Sequence, residues 1–246
     1  MGDARRQNDS VNNPSSGGSD GEFRVLGVDA CKKGWVGITN AGRGYFGSTI
    51  TGLITSALED GALDVIAIDM PIGLPETGPR KADALARKLV GRRASSVFST
   101  PIRAALAAST HAEATAISAK MTGKGLSQQA FGLGKKILEV DQWARMTSQR
   151  VIEVHPEVCF ASMGGGYLRH PKSTWAGSEE RRGLLASAGI TVPADIGIAG
   201  EMAGTDDVLD AAAAVWTALR FAKGVAISHP LAPERFGDGH EAAIWA

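Results

Sequence analysis

Within residues 63–69, LDVIAID, the apolar run from Val65 to Ile68 is uninterrupted and ends on Asp69. A strand with one wet face alternates apolar and polar side chains, so a run of this kind belongs to a strand covered on both faces. Such a strand needs layers above and below it, which points the chain towards an α/β architecture. Residues 25–29, VLGVD, repeat the arrangement, a short apolar stretch ending on an acid. A carboxylate taken out of water without a partner is costly, so both Asp29 and Asp69 call for something to neutralise them.

The neighbouring segments extend the pattern. Residues 23–30, 35–39 and 44–50 read as three short strands, with NAGRG at 40–44 as a hairpin signal. Residues 53–58 suit a short helix ahead of the 63–69 strand. Three strands, a helix and a returning strand are the opening of a ribonuclease-H-like fold, in which the crossover sets the fourth strand parallel to and beside the first. After a loop rich in Pro and Gly (MPIGLPETGPR, 70–80), residues 81–90 read as a helix and 103–150 as mostly helical. A further strand is expected at 150–156, RVIEVHP, with helices at 178–188 and 206–221. The expected fold is therefore α/β: a mixed sheet of three antiparallel strands followed by parallel ones, flanked by helices. It forms one domain from 23 to 246, with a helical insertion at about 70–150.

The first 22 residues are rich in Ser, Asn, Gly and Asp, cannot offset the entropy of ordering, and are expected to form a disordered tail. The tail lacks the apolar region of a secretory signal. No stretch approaches the roughly 18–20 apolar residues of a membrane span. The expectation is a cytoplasmic protein with no membrane partner. Cys31 and Cys159 form no C-x-x-C pair and read as free, half-buried thiols. Basic and acidic residues balance at 26 each. That balance neither requires nor excludes nucleic acid, because a neutral chain can still gather arginine on one face.

The acids carry the chemistry. Asp29 and Asp69 end neighbouring parallel strands, facing the crevice where α/β proteins bind ligands. Glu153 lies inside VIEV with Glu157 just beyond it, and Asp207 and Asp210 are three apart on one helix face. Carboxylates gathered this closely repel one another unless divalent cations neutralise them, and an oxygen-only set suits Mg²⁺ or Mn²⁺. Two such ions, roughly 3.5–4 Å apart, are the usual means of cleaving a phosphodiester by in-line attack of water. On this reading Asp29, Asp69, Glu153 and Asp210 are catalytic, and together with Asp207 they hold the metal. Plainer readings stand beside it. Asp29 and Asp69 can serve turns, and Asp206 and Asp207 can be first-turn helix acids. Asp210, beside small alanines, and Glu153, inside an apolar strand, have less structural excuse.

The segments GVDACKKGWVG, IDMPIGLP, GRRASSVFSTP, KILEVD, EVHPE and DDVLDAAAA, in this order, resemble the motifs of the bacterial family designated domain of unknown function 429. That family is described as predicted ribonuclease-H-like nucleases, and the resemblance runs from about 25 to 245. It implies the fold and, as an expectation, nuclease activity. More distantly the layout resembles Holliday-junction resolvases, whose pattern Asp29, Asp207 and Asp210 match. Either Asp69 or Glu153 would supply the remaining acid. The chain departs from the resolvases in its long 70–150 segment and its neutral charge.

Around the acids, GRRASSVFSTPIR (91–103) gathers arginines and hydroxyls about Phe98, groups suited to phosphate oxygens and a base. The plainer alternative is a solvated basic loop. YLRHPKSTW (167–175) has the same basic and aromatic character. His155, between Glu153 and Glu157, has no second histidine at ligand spacing and fits a supporting role. Lys32, Arg92, Arg93, Ser95, Ser96, Arg103 and His155 are the expected substrate-binding residues. The expected function is a Mg²⁺- or Mn²⁺-dependent nuclease acting on nucleic acid or a nucleotide. Two alternatives share the fold: a non-catalytic nucleotide- or partner-binding protein, and an actin-like or sugar-kinase phosphotransferase. The second would need a D-x-G-x-G phosphate hairpin that the C-terminal half does not show.

Overall fold

The computed structural model describes residues 23–246, and the tail expected at 1–22 lies outside them. The strands are β1 (Val25–Cys31), β2 (Gly34–Thr39), β3 (Gly44–Gly47), β4 (Val65–Ile68), β5 (Val151–Val154), β6 (Ser228–Arg235) and β7 (Glu241–Trp245). They form one seven-stranded sheet in the order β3-β2-β1-β4-β5-β7-β6. Strands β3, β2 and β1 are antiparallel, β4 and β5 run parallel to β1, β7 is parallel to β5, and β6 returns antiparallel at the edge. This is the mixed, ribonuclease-H-like α/β architecture expected from the sequence.

The helices are α1 (Ile50–Glu59), α2 (Lys81–Val90), α3 (Arg103–Leu106), α4 (His111–Thr122), α5 (Gln128–Gly132), α6 (Gly134–Met146), α7 (Pro156–Gly164), α8 (Trp175–Ser187), α9 (Ile198–Met202) and α10 (Thr205–Ala222). Helices α2 to α6, with a 3-10 turn at Gly91–Ser96, lie between β4 and β5. Helix α1 starts earlier than the sequence pattern suggests because Thr49 caps it, its hydroxyl accepting from Gly52 N. The strand expected at 150–156 ends at Val154 because Pro156 takes the first position of α7, where its missing N–H costs nothing. The β6–β7 hairpin is absent from the sequence-based expectation. Pro230 and Pro233 mask β6, and such residues are tolerated at a sheet edge.

Period-two alternation divides the sheet between two apolar layers. Leu26, Val28, Ile66 and Ile68 face α1 and α6, while Val25, Val65, Ala67, Ile152 and Val154 face α7, α8 and α10. One contact sets the geometry of the second layer. A Cβ on Gly27 would stand 2.1 Å from Ala211 O and 2.5 Å from Val215 N, so α10 lies on β1 closer than any strand side chain would permit. Ala211 and Ala214, three apart on one helix face and both buried, supply the matching small surface. Asp29 is two residues beyond Gly27 on the same face, and Asp210 is the residue before Ala211. The close approach therefore brings them together. Among the described residues, no helix is long and apolar enough to cross a membrane.

Candidate metal centre

Asp29 sits near the carboxyl end of β1, and Asp69 directly follows β4. The Asp69 N–H donates to Val28 O at 2.9 Å, which carries the β1–β4 pairing one step further and sets the two acids side by side. Asp210 enters from the second turn of α10. One carboxylate oxygen from each of Asp29, Asp69 and Asp210 lies within 4.8 Å of the others. Asp29 and Asp210 are buried and Asp69 is half-buried.

Burial raises all three pKa values. Asp29 is pushed well above the ordinary carboxyl range, with repulsion from Asp69 and Asp210 adding to desolvation. Asp69 and Asp210 are lifted by burial to about 7 despite the pull of Lys172. Lys172 comes from the loop before α8, and its Nζ donates to Asp210 Oδ2 at 2.7 Å and lies 3.6 Å from Asp206 Oδ2. Burial opposes the Lys172 charge, but Asp210 beside it raises the ammonium pKa above its usual value. When ionised, three carboxylates against one ammonium would leave an excess of negative charge, presented by oxygen alone. That donor set fits a hard divalent cation.

The structure does not bring every expected acid to this point. Glu153 pairs with Ile68 in the β4–β5 ladder, so its side chain leaves the sheet on the face opposite Asp69. There it accepts from Arg80 Nη2 at 2.5 Å and from Ile72 N at 2.8 Å. Arg80 is fully buried and also lies 3.3 Å from Asp83, which in turn accepts from Thr100 N at 2.7 Å. Burial raises the Glu153 pKa to about 7 even so. The residue expected to hold metal thus clamps the 70–80 loop and the insertion to β5. Glu157, on α7, is paired with the buried Arg181 of α8. Asp207 is half-buried and accepts from Gly204 N at 3.1 Å, closing the start of α10, and it stands outside the three-carboxylate cluster.

The cluster lies in a cavity of about 420 Å³. Part of its wall comes from the insertion through Arg93, Ser95, Ser96 and Gln129, and Lys172 comes from the facing loop. The helical insertion therefore closes over the carboxyl edge of the sheet. His155 also lines the cavity, with Nε2 3.4 Å from Ser96 O and Nδ1 without a partner, and burial lowers its pKa. Of the other expected substrate-binding residues, Arg92 sits outside with its guanidinium 5.7 Å from the Tyr167 ring centre. Arg103 is taken up by Asp141 at 2.7 Å and Asp238 at 2.8 Å. Lys32 is exposed on the β1–β2 turn and does not line the cavity.

Sequence reasoning missed Lys172, Arg80 and Arg181. Lys172 lay inside the basic, aromatic 167–175 stretch but had nothing to single it out. A partner for Glu153 was inferable, since a glutamate inside an apolar strand needs one, but nothing local identified Arg80.

Neither the curated proteins nor the solved structures yield a match to this chain. A family model described as "Protein of unknown function (DUF429)" matches residues 27–235, a span that contains Asp29, Asp69, Asp210, Lys172 and the insertion. The chain belongs to the DUF429 family.

Proposed function

We propose that the protein is a divalent-metal-dependent phosphodiesterase acting on nucleic acid. The observation that carries this reading is the convergence of Asp29, Asp69 and Asp210 within 4.8 Å of one another on the floor of a cavity. These three residues would hold Mg²⁺ or Mn²⁺. Bound there, such an ion would supply Lewis acidity towards a phosphoryl oxygen and would lower the pKa of water.

The chain's own groups account for the rest. Arg93 and Ser95 offer donors to phosphate oxygens from the insertion side of the cavity, while the Ser96 hydroxyl donates to Arg93 O at 2.8 Å. Lys172 fixes Asp210 and adds positive charge beside it. His155, kept neutral by burial, places a nitrogen base on the cavity wall. Glu153, expected among the acids that hold the metal, is paired with Arg80. The reading is accordingly one ion among three carboxylates, with the Lys172 ammonium as the second positive charge of the site.

Isothermal titration of Mn²⁺ into the parent and into Asp29→Asn and Asp210→Asn tests this. One saturable ion per chain, lost in both folded variants, is the expected result, with cleavage of labelled DNA or RNA by the parent alone. Failure of the parent to bind Mn²⁺, even with an oligonucleotide present, overturns it.

A further inference from the structure

We infer that the rim of the cavity is a track for an unpaired nucleic-acid strand, with Tyr167 and Trp175 as the surfaces on which its bases stack. The inference rests on the phosphodiesterase reading for the kind of ligand and goes beyond it in naming the strand state and the residues that hold it.

The first observation is exposure. Trp175 is 80% exposed and Tyr167 is 47% exposed, although burial of large aromatic side chains is strongly favourable. Each is close, along the chain or in space, to residues that wall the cavity. Trp175 follows Lys172 and Ser173, which line the cavity, by only a few residues. Tyr167 packs beside Gly91, and the neighbouring Arg93 lines the cavity.

The second observation is that the loop presenting these rings is built, not loose. Arg169 N and His170 N each donate to Glu180 at 2.9 Å, and Arg181 Nη1 donates to His170 O at 3.3 Å. Pro171 O accepts from Thr174 Oγ1 at 2.8 Å, and a Cβ on Gly177 would stand 1.9 Å from that same carbonyl oxygen. Trp175 is thus held at the start of α8 with its ring in solvent. Aromatic rings pre-placed in this way suit base stacking, which tolerates any sequence because every base has a π-face.

The third observation is charge. Arg80, Arg103, Arg145 and Arg181 are all engaged by carboxylates. Among the described residues, Arg92, Arg93 and Arg169 form no ion pair. Arg92 lies 5.7 Å from the Tyr167 ring centre, Arg93 lines the cavity and Arg169 is two residues beyond Tyr167, so three guanidiniums with no carboxylate partner accompany this segment in a chain that is neutral overall. A cavity of about 420 Å³ is on the scale of a small-molecule pocket, so it admits one nucleotide and not a double helix. A phosphodiester reaches carboxylates on its floor only in a strand that can bend away from its neighbours.

The test is fluorescence anisotropy with labelled oligonucleotides of about 12 nucleotides, within the range of strand-binding sites. It uses the full chain in Ca²⁺ buffer, with single-stranded DNA, single-stranded RNA and duplex DNA as separate arms. Both single strands are expected to bind and to quench tryptophan emission, and the duplex to bind far more weakly. Tyr167→Ala and Trp175→Ala should each weaken single-strand binding by about tenfold. Mn²⁺ titration of the same variants should match the parent, showing the carboxylate site intact. Duplex binding as tight as single-strand binding, no binding of either strand, or parental affinity in both variants overturns the inference. Aromatic-dependent strand binding in a protein that takes up no Mn²⁺ overturns the hydrolase reading and leaves the strand site standing.

Discussion

Glu153 stands opposite Ile68 in the β4–β5 ladder, which turns its carboxylate to the side of the sheet away from Asp29 and Asp69 and into the guanidinium of Arg80. The consequence is a division of labour among the four acids read as catalytic, with Asp29, Asp69 and Asp210 gathered at one point and Glu153 spent on holding the chain together.

Glu153→Gln should therefore behave as a stability variant. Removing one partner of a buried pair leaves the other charge uncompensated and costs about 3–5 kcal/mol. Asp83, 3.3 Å from Arg80 Nε, keeps the loss near the lower end. Urea denaturation should report that loss, and titration of Mn²⁺ into the folded variant should give the parental affinity.

The metal-free protein should lose stability as pH rises. Asp69 and Asp210 titrate near 7 when folded and Asp29 is also raised, against about 3.9 for an unfolded aspartate. Groups with raised folded values stabilise fully below about pH 4, and that contribution disappears as pH climbs through about 7. Thermal melts should give a Tm lower at about pH 8 than at about pH 5, by on the order of 5 °C. Mn²⁺ should restore most of the difference at the higher pH, and Asp210→Asn should flatten the profile.

Gly27→Ala should separate α10 from β1. A methyl 2.1 Å from Ala211 O meets backbone, which cannot swing aside, so the helix itself must shift. Overpacking of this kind costs about 1–3 kcal/mol or more. The same shift carries Asp210 away from Asp29, so calorimetry should show weakened Mn²⁺ binding together with the lowered melting temperature.

Lys172→Met should tighten Mn²⁺ binding at about pH 8, because the ammonium 2.7 Å from Asp210 competes with any other cation for that oxygen. Turnover should fall in the same variant, since the positive charge it removes is part of the site. Parental affinity in a folded Lys172→Met protein would detach the lysine from the metal centre.

Both thiols should be silent in the native protein. Cys31 and Cys159 are free and buried, and burial pushes the Cys159 pKa up to about 12. A thiol reagent should label neither until denaturant is added, whereupon both should react.

Much of the three-carboxylate cluster was legible in the sequence, for particular reasons. Asp29 and Asp69 stood out because each ends an apolar run, and a strand's carboxyl end faces the crevice of an α/β sheet. Asp210 stood out because alanines follow it on a face that must be buried. The sequence could not place Glu153 relative to Asp69, because alternation gives a side chain's face only relative to its own strand. Which face that is in the sheet depends on register with β4, and register is a tertiary fact. Lys172 was invisible as a ligand partner because it comes from a loop, where no periodicity marks direction. The β6 strand was hidden by prolines that only an edge position tolerates.

Helix α10 also sets a time for the site. Asp29 and Asp69 leave the ribosome early, as solvated acids on strands that have yet to find their cover, whereas Asp210 arrives only with the last long helix. Until Gly27 receives that helix, the third carboxylate is missing and the floor of the cavity does not exist. A divalent cation therefore meets no complete set of carboxylates until the chain has been made through α10 and that helix has docked.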